Sequence, residues 1–380
     1  MKFTKNFFIK IIILSTLLLP FIGIEYFMSI LNFPKSEARR YIRLREMAPS
    51  ANVVLRFPEE PEGKELKSMI NLTTDEDGYI LPYGSNEEES IKILFLGGST
   101  TECIRLGATD RFPYLVAKKL TENYREDKLY FKSLNSGNSG NNSMHSNFIF
   151  LAKGITKKPD FAIMMHNVND LSILLQQSPY RSYWNNNPTR SIIKNYSFID
   201  STIYPLKSLL PYTTENIIKP AYHKLRRFKY RDEFRKSRSI EIDLDPEKIK
   251  KDFENSLNTF VTLTRTWGVE PILMTQASRL SDNPEDWISS QVNISVQNLS
   301  ISGSPIKYEG YKNLYDSFNE IIRKVSNKRG VKLIDLAEEI PKSKEYLYDL
   351  VHLNQKGSKL VSEVIVREFI NSNLIQKYNY

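Results

Sequence analysis

The chain has 380 residues, 41% of them hydrophobic and 26% charged, with a formal net charge of +9. This composition excludes a disordered or fibrous chain and supplies enough apolar material for one large folded domain with additions. Cys103 is the only cysteine, which excludes an intrachain disulfide and any zinc site built on several thiolates.

At the N-terminus Lys2, Lys5 and Lys10 precede the apolar run IIILSTLLLPFIGI, and apolar character resumes after Glu25 as YFMSIL. About 20 such residues suffice to cross a bilayer. No small-x-small cleavage site follows, so residues 1–35 are expected to form a cytoplasmic N-terminus and an uncleaved transmembrane signal anchor. Lys35, Arg39, Arg40, Arg43 and Arg45 come after the segment and run against the positive-inside rule. The domain that follows is nevertheless expected on the extracytoplasmic side.

Residues 36–89 are polar, with turn signals at Asp77-Gly78 and Pro82-Tyr83-Gly84, and read as a linker with short strands. From residue 90 to 374 the pattern alternates, leaving a tail of 375–380. The strand-like runs IKILFLG, KLYFKSLN, DFAIMMH, VEPILMTQ and VKLIDL are separated by segments with apolar residues three and four apart, such as DRFPYLVAKKLTENYRE and NQKGSKLVSEVIVREFINSNL. Strand and helix in alternation predict an α/β fold, a five-stranded parallel sheet covered by helices on both faces. Chemistry in such sheets gathers at the carboxyl ends of the strands.

An insertion at about 171–244 interrupts the rhythm before a helix start at Asp245-Pro246-Glu247. Between Lys219 and Arg238 it carries nine Lys and Arg against two acids, interleaved with aromatics. Such a stretch suits an anionic glycan, anionic lipid headgroups or, last, nucleic acid, or it is simply a solvated helix face. Tyr180, Tyr183 and Trp184 offer aromatic platforms for sugar rings, or pin the insertion to the domain.

Three strands end in polar, small-residue loops. After the first, Gly97 and Gly98 let the chain bend where Ser99 is presented, as nucleophile or as turn residue. SLNSGNSGNNS, after the second, can expose backbone N–H groups of the sort an oxyanion hole requires. In MMHNVNDL, after the third, Asn169 can donate a side-chain hydrogen bond, Asp170 can hold the loop, and His166 serves packing or local hydrogen bonding or also lines the site. Near the C-terminus Asp349 and His352 stand three apart. A tight turn would set the carboxylate on Nδ1 and leave Nε2 free to take a proton from a hydroxyl.

The set FLGGST, NSGNSGNN, NVND and DLVHLN, in this order, resembles the four blocks of the SGNH, or GDSL-like, hydrolase superfamily. The resemblance implies a three-layer α/β/α, flavodoxin-like sandwich. It implies Ser99 as nucleophile, Asp349 and His352 as the rest of the triad, and the Ser99 N–H, the Gly140 N–H and the Asn169 side chain as the oxyanion hole. The family's Gly-Asp-Ser becomes Gly97-Gly98-Ser99, a form that recurs in relatives acting on cell-envelope carbohydrates, and the Gly opening its third block becomes Asn167. Asn167 and His166 are therefore further candidates for substrate binding.

These readings converge on a membrane-anchored serine esterase that removes acetyl or another short acyl group from an envelope or exported polysaccharide through an acyl-enzyme. An O-acyltransferase would use the same residues, with its acyl donor supplied by a membrane partner protein. A catalytically inactive glycan-binding or scaffold protein is the non-enzymatic alternative. No nucleotide or coenzyme motif is present, so no cofactor or metal is expected, and nucleic acid is not an expected partner.

Overall fold

A computed structural model of the chain describes residues 16, 19–31, 33, 45–57, 66, 68–175, 209–218, 221, 241–372 and 374–376. Two compact units divide it, one of residues 1–43 and 193–237, the other of residues 44–192 and 238–380. In the first, residues 19–30 are helical and expose Leu19, Ile22, Tyr26, Phe27 and Ile30. The Glu25 carboxylate accepts the backbone N–H groups of Tyr212 and Thr213, at 2.5 and 2.7 Å. Among the described residues no helix is long and apolar enough to cross a membrane. Most of the first half of the expected anchor lies outside them, as do Tyr180, Tyr183, Trp184 and nearly all of the basic stretch between Lys219 and Arg238.

The larger unit opens with an antiparallel hairpin, β1 (Asn52–Arg56) and β2 (Met69–Thr73). The elements that follow are β3 (Ile91–Gly97), the one-turn helix α1 (Ser99–Glu102), α2 (Phe112–Asn123), β4 (Phe131–Asn135), α3 (Ser143–Ile149), β5 (Phe161–Met165) and α4 (Val168–Leu174). After the insertion come β6 (Ile242–Leu244), α5 (Pro246–Thr266), β7 (Glu270–Met274), β8 (Leu299–Ile301), β9 (Ser304–Pro305), α6 (Tyr308–Arg329), β10 (Lys332–Ile334) and α7 (Gln355–Asn371). Five of these strands form one parallel sheet in the order β4-β3-β5-β7-β10.

Strand β3 shows why the sheet is covered twice. Its side chains alternate, Ile93 and Phe95 entering the core under α2 and α7, Leu94 and Leu96 the core under α3, α4, α5 and α6. The strand order reverses beside β3, since β4 lies on one side of it and β5 on the other. The chain therefore leaves β3 and β5 toward opposite edges of the sheet, and the crevice of such folds lies at the carboxyl end of this switch point. Helix α5 starts as the sequence predicts: the Asp245 carboxylate accepts from the amides of Glu247 and Lys248, both at 3.1 Å, with Pro246 in the first turn.

Two features depart from the simple alternation. The stretch read as a linker is partly built into the domain: Tyr79 and Ile80 are buried, and Ile80 bridges Asn135 at the end of β4. A small sheet of β6, β8 and β9 forms beside the main one, from segments too short to show strand periodicity.

Helices α5 and α6 meet at Phe253 and Phe318, fully buried rings stacked with centroids 4.4 Å apart. Phe318→Ala should cost about 3–5 kcal/mol. Urea unfolding followed by near-ultraviolet dichroism measures this, and a loss below about 1 kcal/mol would contradict so closely packed a contact.

Candidate active site

Ser99 stands at the first position of α1, where β3 ends in two glycines. A β-carbon at Gly98 would lie 2.2 Å from the Asn169 amide nitrogen and 3.0 Å from the Asn141 carbonyl oxygen. This arrangement has no room for the aspartate that the resembled family carries there. The missing side chain lets the loops after β3, β4 and β5 touch.

On the opposite wall, Leu347 and Leu353 are buried and pair as an antiparallel bridge, closing the chain between them into a loop. Within it one Asp349 oxygen accepts the amides of Val351 and His352 at 3.0 and 2.8 Å, and the other lies 2.7 Å from His352 Nδ1. His352 Nε2 is 2.7 Å from Ser99 Oγ. With Nδ1–H donating to the carboxylate, Nε2 is the acceptor for the serine hydroxyl. Burial pushes the Asp349 carboxyl up, but the imidazole and the two amides outweigh it and hold the group below its ordinary value, ionised. Ser99, His352 and Asp349 are thus brought together from loops at the two ends of the domain's sequence.

The Tyr348 ring stacks on His352 with centroids 5.5 Å apart, and the Arg105 guanidinium lies over both Tyr348 and Phe57, at 5.5 and 5.0 Å. These residues, with Ser99 and Ser139, line a pocket of about 210 Å3. Ligand pockets of drug size hold roughly 300–1,000 Å3.

Ser139 and Gly140 lie beside α1. Among the described residues, neither the Ser99 nor the Gly140 backbone N–H has an acceptor. The Asn169 amide donates to the Asn141 carbonyl oxygen at 2.7 Å, which orients it and leaves its second N–H for another acceptor. Of the three groups expected to form the oxyanion hole, the Ser99 amide and the Asn169 side chain adjoin Gly98, and Gly140 immediately precedes Asn141, whose carbonyl oxygen borders the same glycine.

Two other candidates are not in the pocket. Asn167 is fully buried and donates to the Tyr315 carbonyl oxygen and Asn319 Oδ1, at 2.9 and 3.0 Å, tying the loop down to α6. Its φ of −163° lies outside the left-handed region that favours glycine. His166 is buried too. Its Nε2 meets Ser146 Oγ at 2.7 Å, its Nδ1 stands 3.7 Å from Asp170, and burial, helped by His145, lowers its pKa to about 3. The ring is neutral and serves packing. Asp170 does hold the loop, accepting the Ser143 amide at 3.1 Å and its hydroxyl.

Several working residues were not singled out from the sequence. Gln276, after β7, donates to Thr100 Oγ1 and accepts the Val168 amide, both at 2.8 Å, and so links the loops after β3 and β5. Glu102, at the end of α1, is buried and accepts the Ser139 hydroxyl. Burial raises its pKa to about 7, although Ser139, the Arg111 guanidinium and His352 pull the other way.

No family model matches the chain, and no curated protein does. Solved structures do. An acetylxylan esterase from Geobacillus stearothermophilus is 17% identical, with 76% of this chain and 96% of that one covered and a TM-score of 0.41. A GDSL-like lipase from Parabacteroides merdae is 14% identical, with 77% and 100% covered and a TM-score of 0.42. An alpha/beta hydrolase from the metagenome of Lake Arreo, Spain, is 16% identical, with 73% and 94% covered and a TM-score of 0.41. In the order of its sequence blocks and the geometry of its site, the chain resembles the SGNH, or GDSL-like, hydrolases.

Glu102 also makes stability depend on pH. Its folded pKa lies above the unfolded value of 4.5, so the folded state binds the extra proton, and stability falls as pH rises from 4.5 to about 7. The loss is up to about 3 kcal/mol. Glu102→Gln, which cannot ionise, should flatten that part of the profile in thermal melts across the range. An unchanged slope would mean that Glu102 does not titrate there.

Proposed function

We propose that this protein is a serine esterase of the SGNH type, acting on acetyl or other short acyl esters of an envelope or exported polysaccharide. The observation that carries this reading is the unbroken chain Ser99–His352–Asp349, with both contacts at 2.7 Å and the serine at the mouth of a pocket. His352 takes the proton of Ser99 as the hydroxyl oxygen attacks the ester carbonyl, and Asp349 stabilises the imidazolium that forms. Negative charge on the carbonyl oxygen is met by the N–H groups of Ser99 and Gly140 and by Asn169. The alcohol leaves with the proton from His352, and water attacks the acyl-enzyme by the reverse sequence.

The modest pocket supports a short acyl group over a fatty one. Polysaccharide as substrate, an extracytoplasmic location and a membrane anchor rest on the sequence: the apolar N-terminal run, the Gly-Gly-Ser block and the aromatic, basic insertion. Transfer to a sugar hydroxyl uses the same acyl-enzyme, and product analysis with a glycan acceptor separates it from hydrolysis.

The full-length protein in detergent should release acetate from an activated acetyl ester, and Ser99→Ala should not. Equal release by both removes Ser99 from the chemistry. Asp349→Asn should keep the fold and lose about 10³–10⁴-fold in kcat, since an amide holds the wrong tautomer. An unimpaired variant would mean that another group activates the serine.

A further inference from the structure

We propose that Arg45, which lies well outside the four catalytic blocks, positions the oxyanion-stabilising loop and strengthens the Gly140 N–H as a donor. This rests on the esterase reading above. Arg45 Nη2 donates to the Ser139 carbonyl oxygen at 2.6 Å, and Nη1 to the Gly140 carbonyl oxygen at 3.2 Å. The Ser139 carbonyl and the Gly140 N–H are the two ends of one peptide group, coupled by amide resonance. A cation bonded to the oxygen draws electron density from the nitrogen, so the N–H at the far end becomes a better donor. The guanidinium lies against Gly140 itself, where a β-carbon would stand 2.7 Å from Nη2.

The main chain of the same residue reaches the second donor. Asn141 Nδ2 donates to the Arg45 carbonyl oxygen at 3.1 Å, and the Asn141 carbonyl oxygen accepts from Asn169 at 2.7 Å. Arg45 thus touches one expected oxyanion donor through a shared peptide and the other through one intervening residue. From the opposite side the Glu102 carboxylate holds the Ser139 hydroxyl. The loop is fixed between a cation on its carbonyls and an acid on its side chain. Two carbonyls taken by one planar fork is a geometry that lysine, a single point charge, does not reproduce.

The test compares full-length wild type, Arg45→Ala and Arg45→Lys in three measurements: steady-state hydrolysis of an activated acetyl ester, inhibition by phenylboronic acid, and thermal midpoint. Phenylboronic acid forms a tetrahedral adduct on a nucleophilic serine and so reports on the oxyanion donors. Losing a whole donor costs about 10²–10³ in turnover, so weakening one should cost about 10–100-fold in kcat for Arg45→Ala. KM should stay within about threefold, and the inhibition constant should rise in parallel with the fall in kcat. Arg45→Lys, which keeps the charge and one bond, should lie between, and it carries the test if Arg45→Ala does not fold. A purely structural arginine would move the thermal midpoint without that parallel. Variants that match wild type within about twofold, or lose kcat with an unchanged inhibition constant, overturn the role of Arg45 alone. A folded wild type inert to both ester and boronic acid overturns the esterase reading, and this inference with it.

Discussion

Close backbone approach at the carboxyl edge of the sheet is the constraint that shapes the site, and Gly137 shows how tight it is. A β-carbon there would sit 2.4 Å from the Glu102 amide nitrogen, so the loop after β4 lies directly on the turn that presents Ser99. Loops this close bury backbone and side-chain polar groups, which must then bond to one another. Gln276 and Asn319 do much of that work: Asn319 Oδ1 accepts from both Asn167 and the Gln276 amide, and Gln276 reaches Thr100 and Val168. The crevice walls are thus crosslinked by side chains from β7 and α6, elements that contribute nothing to the triad. Preorganised donors need such a frame, since an oxyanion hole stabilises charge only if its dipoles are already aimed.

Two carboxylates flank the serine, and their surroundings set them to different tasks. Asp349 sits among an imidazole and two amides that favour its charge. Glu102 is shut away from water with Ser139 as its close partner, and its proton is held far more tightly. An acid that is ionised throughout the neutral range suits the support of an imidazolium. One that changes charge near neutrality makes the loop beside it sensitive to pH.

Much of this was legible from sequence. The three inner strands of the sheet, β3, β5 and β7, are rich in apolar residues, as strands buried on both faces must be, and the Asp-x-x-His spacing in a turn sets its carboxylate on the ring. Asn167 was misjudged as a substrate contact because proximity in sequence to Asn169 stood in for direction, and of the two readings of His166, packing and lining the site, the first holds. Strand parity carried the missing signal for His166: Met165 faces the core under α2 and α7, so the next side chain turns under α3 and α4 and cannot reach the crevice. Arg45 and Glu102 had no such signal. One belonged to a row of charges flanking an apolar segment, the other to an unremarked turn of helix, and only the fold brings them to the same loop.

A second serine, histidine and aspartate lie close together below the first. Ser146, His166 and Asp170 are all buried, with the imidazole neutral. By residue type this inner set matches the outer one; by surroundings it is its opposite. Catalysis at the outer set asks the imidazole to gain and lose a proton at each turnover, with water and substrate at hand. The inner ring is kept from gaining one at all, so it works as a proton-inert clamp between α3 and α4. What separates a relay from a rivet in this domain is access to solvent.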